Sequence, residues 1–372
     1  MALPPATARR GSWLERLGIG VVVATLWAPM IQMVFHPIPE GAATENKAPA
    51  AFPAFAPETW DTWPASVQAW FDASFGFRQP LVTAFNLISV LALHTSTSEL
   101  VLLGRDGWLY YTVNGSIDDA RGHVVLSAAE MEAVQSGLMA QQRGATERGA
   151  AYLFVVCPDK HSAHPEQLPP TIETAGGPPR LEQVLAAAPP SLHLLDLRGA
   201  LLDARGRAPV YHRTDSHWNA YGALVGYVAI LEAIQARLPE VRSFVAADFV
   251  IRSERRRGGG DLATNMLALP PILEEEDVVV GLPADIESVR GANAHLRVLV
   301  YHDSFWLGLQ PYFEATFPNL TAIPSGYTFD YGEIDRQRPD IVLNITVERN
   351  LVEVARLPIS PSSDAAPSPG AP

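Results

Sequence analysis

The stretch Val210–Ala223, VYHRTDSHWNAYGA, sets His212, Asp215 and His217 within six residues, just ahead of a long apolar run. Three readings suit that set. Two imidazoles and a carboxylate can hold zinc. An Asp–His pair can serve as an oriented general base for a nucleophile supplied elsewhere. Asp215 or Ser216 can also cap the next helix, with no chemistry at all. In extended backbone, residues i and i+2 point to the same side, so Asp215 and His217 can meet. No strong zinc spacing such as HExxH accompanies them, and neither a metal nor another cofactor is expected.

The partner for such a base has to come from the elements around it. Strand-like apolar runs recur at AYLFVV (151–156), LHLLDL (192–197), LRVLVY (296–301), LTAI (320–323) and PDIVLNITV (339–347), with helix-like stretches between them. That alternation predicts an α/β fold with a mostly parallel sheet covered on both faces. In such sheets chemistry gathers at the carboxyl ends of the strands. The segments found there are CPDKHSAHPE, HDSFW, PSGYT and ERN. Asp159, Lys160, His161, Ser304 and Gly326 therefore join Asp215 and His217 as candidates for one cleft. Ser304 falls at a strand-to-helix turn, where backbone N–H groups favour an oxyanion. His217 can take the serine proton and Asp215 can hold the other imidazole nitrogen. Taken alone, a serine at that place reads equally well as a helix cap.

Other elements are marked by their own signals. SAAE, Ser127 to Glu130, is a capping box opening a helix on which Met131, Val134 and Leu138 recur at helical spacing. Residues 218–237 form an apolar helix with Tyr221, Leu224, Val225, Val228 and Leu231 on one face. Asp106-Gly107 is a turn signal between two short strands. Residues 245–290, with SERRRGGGDLATNM and LEEEDVVVGL, break the rhythm as an inserted hairpin or lobe.

Composition excludes some functions. A formal net charge of -13 argues against a nucleic-acid binder. With 48% hydrophobic and 18% charged residues the chain is globular. Cys157 is the only cysteine, so no intrachain disulfide forms, and its apolar run makes it a small buried hydrophobe. Arg9, Arg10 and Arg16 precede an apolar run from Leu17 to Phe35, about 19 residues, close to a bilayer's thickness. The charge bias predicts a cytoplasmic N-terminus with the rest exported. The run is long for a cleaved leader, which favours an uncleaved anchor. The expected organisation is a tail and anchor at 1–36, a Pro/Ala-rich linker at 37–57, one domain at 58–357 and a low-complexity, disordered tail at 358–372. Amphipathic, aromatic-rich helices open the domain.

Taken together, DSHWNAYGA, YHDSFW and RPDIVLNITVERNL resemble the AlgJ/AlgX-type SGNH hydrolase-like family of polysaccharide O-acetylation proteins. FDASFGFRQPL, GRDGWLYY, CPDKHSAHPEQLP and GGGDLATNML fit the same pattern in the same order, over about residues 57–355. The AlgJ-like members are the nearer pattern. The resemblance implies a flavodoxin-like three-layer sandwich with circularly permuted motif order. It implies Ser304 as nucleophile, His217 as base and Asp215 as its orienter. Gly326 would match the glycine that lends a backbone N–H to the oxyanion hole. Ordinary SGNH enzymes place Gly before the Asp-Ser pair, where this chain has His302, and an oxyanion-hole Asn where it reads TVERN. Arg349, Lys160 or His161 would then supply the missing donor. The implied activity is periplasmic O-acetyl transfer to an exopolysaccharide such as alginate, from a donor delivered by a membrane-bound O-acyltransferase, with the protein held at the inner membrane. A carbohydrate acetylesterase using the same triad, or a non-catalytic polysaccharide-binding protein, would share the fold.

Overall fold

The computed structural model describes residues 13–36, 51–172, 176–324 and 329–360. Gly326, most of the 37–57 segment and most of the C-terminal tail lie outside them. Contacts divide the chain into two units, one running to Thr95 with Ala268–Pro270, the other comprising Ser96–Leu267 and Pro271 onward.

The first unit begins with a helix from Trp13 to Phe35, 23 residues with a mean hydropathy of 1.8. At 1.5 Å per residue it spans about 34 Å, longer than the ~30 Å hydrocarbon core. Its apolar side chains point outward, with 6% of the apolar window buried. By length and composition it is able to cross a membrane, although a signal sequence meets the same test. Shorter helices follow at Trp63–Ser74 and Arg78–Leu87, the second continued by a wider turn at Ile88–Ala92.

The second unit is built on a parallel sheet. Its strands in chain order are β1 (Val101–Leu103), β2 (Leu109–Tyr111), β3 (Ala151–Cys157), β4 (Leu194–Asp196), β5 (Val250–Gly258), β6 (Leu273–Gly281), β7 (Arg297–His302), β8 (Asn319–Pro324), β9 (Phe329–Asp330), β10 (Ile341–Val347) and β11 (Ile359–Ser360). Five of them form the main sheet in the order β4-β3-β10-β7-β8, every pairing parallel. Runs such as AYLFVVC and IVLNITV suit this role because strands covered on both faces need apolar side chains on both.

The two faces can be read along β3. Leu153, Val155 and Cys157 join one core with the helices Ala220–Gln235 and Trp306–Thr316. Tyr152, Phe154 and Val156 join the other, with Val134 and Leu138 of the helix Ala128–Glu147 and with Leu351. The alternation produces the three layers. Ser127 caps the Ala128–Glu147 helix in a capping box with Glu130, as its motif predicts.

Outside the sheet, β1 and β2 make an antiparallel hairpin around Arg105–Gly107, where Asp106 and Gly107 take positive φ. β5 and β6 form a second antiparallel hairpin of nine paired positions. The 218–237 helix runs from Ala220 to Gln235. Its cap is Asn219, whose side chain accepts the Gly222 N–H at 2.9 Å, not Asp215 or Ser216. With the cap supplied by Asn219, the Asp215 carboxylate has other partners.

Candidate active site

Asp215 and His217 form a pair within their own loop. Asp215 Oδ1 accepts the His217 backbone N–H at 3.0 Å and lies 2.7 Å from His217 Nδ1. His217 Nε2 faces Ser304 Oγ at 2.8 Å, across 87 residues of sequence. Asp215 thus holds one imidazole nitrogen while the other meets the hydroxyl. Ser304 is exposed, and the His217 side chain is 29% exposed. Burial alone would raise the Asp215 carboxyl. Its bonds from His217 and from the Asp261 N–H outweigh that and hold it well below the usual carboxylate range.

Ser304 stands in the turn between β7 and the Trp306–Thr316 helix. Asp303, immediately before it, fixes that turn. Its carboxylate accepts the Phe305 N–H at 2.9 Å, the Val347 N–H at 2.7 Å and the Thr346 hydroxyl at 3.2 Å. Among the described residues the Ser304 backbone N–H has no acceptor, which leaves it for an oxyanion. The serine turn and the histidine loop are locked together by Trp218, whose Nε1–H donates to the Phe305 carbonyl at 3.1 Å. The Phe305 ring lies 5.1 Å from the imidazole.

A second carboxylate, Asp261, completes the cluster. Asp261 Oδ1 accepts the Ser216 N–H at 2.7 Å and Oδ2 accepts the Ser216 hydroxyl at 2.5 Å. Its own N–H donates to Asp215 Oδ2 at 3.0 Å, and its Oδ2 lies 3.8 Å from His217 Nδ1. Gly260 allows this approach, because a Cβ there would stand 2.5 Å from the Asp215 nitrogen. Below the loop, Glu275 of β6 accepts the N–H groups of Arg213 and Thr214 at 2.9 and 3.1 Å. The interrupting segment 245–290 therefore supplies supports for the histidine loop. Sequence reasoning passed over Asp261, Asp303 and Glu275 as site residues. GGGDLATNML carries Asp261 and HDSF carries Asp303, but a carboxylate that braces a loop has no spacing rule of its own.

The metal reading changes its members. Asp215, His217 and Asp261 offer ligand atoms within 4.8 Å of one another. His212 is not among them, since its Nδ1 faces Asp277 of the hairpin at 3.2 Å. The Asp261 carboxylate is engaged by Ser216 and the Asp215 carboxylate by His217.

Lys160, His161 and Arg349 are buried beside the site, and no hydrogen bond joins them to Ser304 or His217. Lys160 Nζ donates to the carbonyls of Leu109 at 2.7 Å and Arg213 at 3.2 Å, tying the β1–β2 hairpin to the histidine loop. Burial pushes its ammonium down to about 7, against the pull of Asp215, Asp261 and Glu275. Arg349 pairs with Asp159, which also accepts the Arg349 N–H at 2.9 Å. That guanidinium sits 5.2 Å from the Tyr111 ring and 5.7 Å from the Phe305 ring. His161 lies 4.0 Å from Asp159, and burial lowers its pKa. The neighbouring Glu348 is buried and raised to about 7 by burial and by Asp159. The carboxyl ends of β3 and β10 are thus joined by a buried ionic web, while the exposed serine stands at the end of β7.

Comparison with known proteins agrees with this architecture. Residues 101–277 match the family described as the SGNH hydrolase-like domain of the acetyltransferase AlgX. A curated relative, the "Probable alginate O-acetylase AlgJ" of Pseudomonas aeruginosa, is 29% identical over 177 residues. The match covers 47% of this chain and 43% of that relative, so the chain spans less than half of its length. Among solved structures, Bacillus cereus PatB1 is similar at 17% identity and a TM-score of 0.53, covering 69% of this chain and 99% of that one. The O-acetyltransferase domain of Pseudomonas putida AlgJ is similar at 20% identity and a TM-score of 0.45, covering 68% and 92%. The segment 101–277, just under half of the chain, is thus similar to the SGNH hydrolase-like domain of AlgX and, over 177 residues, to AlgJ.

Proposed function

We propose that this protein is an exported O-acetyltransferase acting on a bacterial exopolysaccharide through an acetyl-serine on Ser304. The observation that carries the reading is the continuous relay Asp215–His217–Ser304, with contacts of 2.7 and 2.8 Å, the second across 87 residues of sequence. The relay meets the geometric demand of nucleophilic acyl transfer. In the first half-reaction Ser304 Oγ attacks the acetyl carbonyl and its proton passes to His217 Nε2. The oxyanion forms against the Ser304 N–H, and the donor's leaving oxygen departs with the proton from His217. In the second, His217 takes the proton of a sugar hydroxyl, that oxygen attacks the acetyl carbon, and Ser304 regains a proton. Asp215 stays ionised and supports the imidazolium throughout.

Support for the substrate class comes from the one relative whose name specifies alginate O-acetylation. The Trp13–Phe35 helix supports an inner-membrane anchor, with the second unit in the periplasm. We retain 1–36 as tail and anchor and 37–57 as linker. The acetyl donor is assigned to a membrane-bound O-acyltransferase partner.

The exposure of Ser304 favours one second reading, an acetylesterase in which water replaces the sugar. Incubation with an activated acetyl ester and an exopolysaccharide oligomer separates them. Acetylated oligomer, lost in Ser304→Ala, supports transfer. Free acetate alone supports the esterase. Neither product from a folded protein would return the chain to a non-catalytic polysaccharide binder.

A further inference from the structure

Residues 78–92 present an apolar stripe to the outside. Leu81, Phe85, Ile88 and Leu91 follow at steps of three and four, the spacing of one helix face. They are 51%, 63%, 59% and 45% exposed. The buried residues of the same stretch are Asn86, Ser89 and Val90, two of them polar. This inverts the usual order of a helix in water, where the apolar face is the covered one. No charged residue lies between Gln79 and Leu93. Phe52, Phe55 and Trp60 of the same unit are also mostly exposed.

The stripe begins beside the Trp13–Phe35 helix. The turn between Trp63–Ser74 and Arg78–Leu87 contains Gly76, which lies directly against the Trp13–Phe35 helix. A Cβ on Gly76 would come within 2.2 Å of the Pro29 carbonyl and 2.6 Å of Gln32 Cβ. The turn is therefore seated on the last turns of the apolar helix, which on the anchor reading is where the chain leaves the hydrocarbon. A helix that starts there with its apolar side outward has acyl chains as its nearest apolar surroundings.

We propose that residues 78–92 lie in the plane of the membrane surface, with Leu81, Phe85, Ile88 and Leu91 in the headgroup-to-acyl boundary beside the anchor. The inference rests on the anchor reading of Trp13–Phe35. Its consequence is a second membrane attachment between the span and the catalytic unit.

The test uses the full chain in phosphatidylethanolamine–phosphatidylglycerol vesicles, with one nitroxide at a time at Phe85→Cys or Ile88→Cys. Leu26→Cys marks the anchor and the exposed Glu132→Cys marks water. Cys157 is buried, and the parent chain supplies the blank. The expected result is that dissolved oxygen relaxes the labels at 85 and 88 more than a polar nickel chelate does, as at 26, with the reverse at 132. Nickel dominance at 85 and 88 with a lipid-like 26 would overturn the in-plane helix alone. Low access to both reagents at 85 and 88 would mean a protein covering, from a second copy or another partner, and would equally overturn it. Nickel access at 26 would overturn the anchor as well.

Discussion

Asp261→Asn takes a negative charge from beside His217 while leaving an acceptor for the Ser216 N–H. The carboxylate oxygen lies 3.8 Å from His217 Nδ1. Two unit charges at that distance interact by about 1 kcal/mol in water and about 4 kcal/mol at an effective dielectric near 20. Both side chains are partly solvated, at 29% and 24% exposed, so the lower half of that range applies. The charge matters only once His217 becomes imidazolium, which is during acyl transfer, so its loss falls on the transition state. The expected loss in acylation rate is about 10- to 100-fold, or about 1.4–2.8 kcal/mol. Asp215→Asn should cost about 10³–10⁴, because it leaves the imidazole in the wrong tautomer. The assay is the rate of acetyl-enzyme formation from an activated acetyl ester, followed in a rapid-quench instrument with the full chain. Thermal unfolding should shift little, since a net hydrogen bond is worth about 1 kcal/mol. A rate within about twofold of the parent would refute the assigned electrostatic role. A loss equal to that of Asp215→Asn would refute the division of labour between the two carboxylates.

Other substitutions probe the supports. Gly260→Ala would drive a Cβ into the backbone of Thr214 and Asp215, so it should destabilise by about 1–3 kcal/mol and abolish acylation, whereas Gly259→Ala, whose nearest contacts are 3.6 Å or more, should do neither. Asp303→Ala strips acceptors from Phe305 and Val347 and should lower unfolding stability by about 2–4 kcal/mol, read by denaturant titration. Lys160 is held down to about 7 when folded, against 10.5 for the ordinary group, so the unfolded chain binds more protons between those values. Native stability should therefore rise with pH across that window, by up to about 5 kcal/mol from this group, and that contribution should be lost in Lys160→Met. Chelators should leave acylation unchanged, and a stoichiometric metal lost together with activity would replace the serine mechanism.

The strands of the main sheet were legible because a covered parallel strand must be a continuous apolar run, as AYLFVV and PDIVLNITV are. The same logic located Ser304 and the Asp215–His217 turn at strand ends, and the spacing of two between Asp215 and His217 anticipated their contact. The capping alternative for Asp215 or Ser216 falls to Asn219, because all three are good caps and only the register of the first turn selects among them. His212 was grouped with its neighbours by proximity in sequence, but its partner, Asp277, comes from a hairpin whose register no local pattern reveals. The same hairpin contributes Glu275, which is hidden in a run of three glutamates that looks like a solvated edge. Lys160, His161 and Arg349 entered the candidate set as donors because TVERN lacks the usual oxyanion-hole Asn; they are buried, with Arg349 paired to Asp159 and Lys160 bonded to backbone carbonyls, an arrangement set by contacts distant in sequence.

The central claim is that Ser304 carries the acetyl group and that His217 activates it. It is tested most directly by the mass of the peptide containing Ser304 after the full chain is mixed with an activated acetyl ester and quenched in acid. The account predicts one added acetyl group on that peptide in the parent protein, none in Ser304→Ala, and none on the same timescale in His217→Ala. Acetylation that persists at the parent rate in His217→Ala, or that settles on another residue when Ser304 is intact, would contradict it.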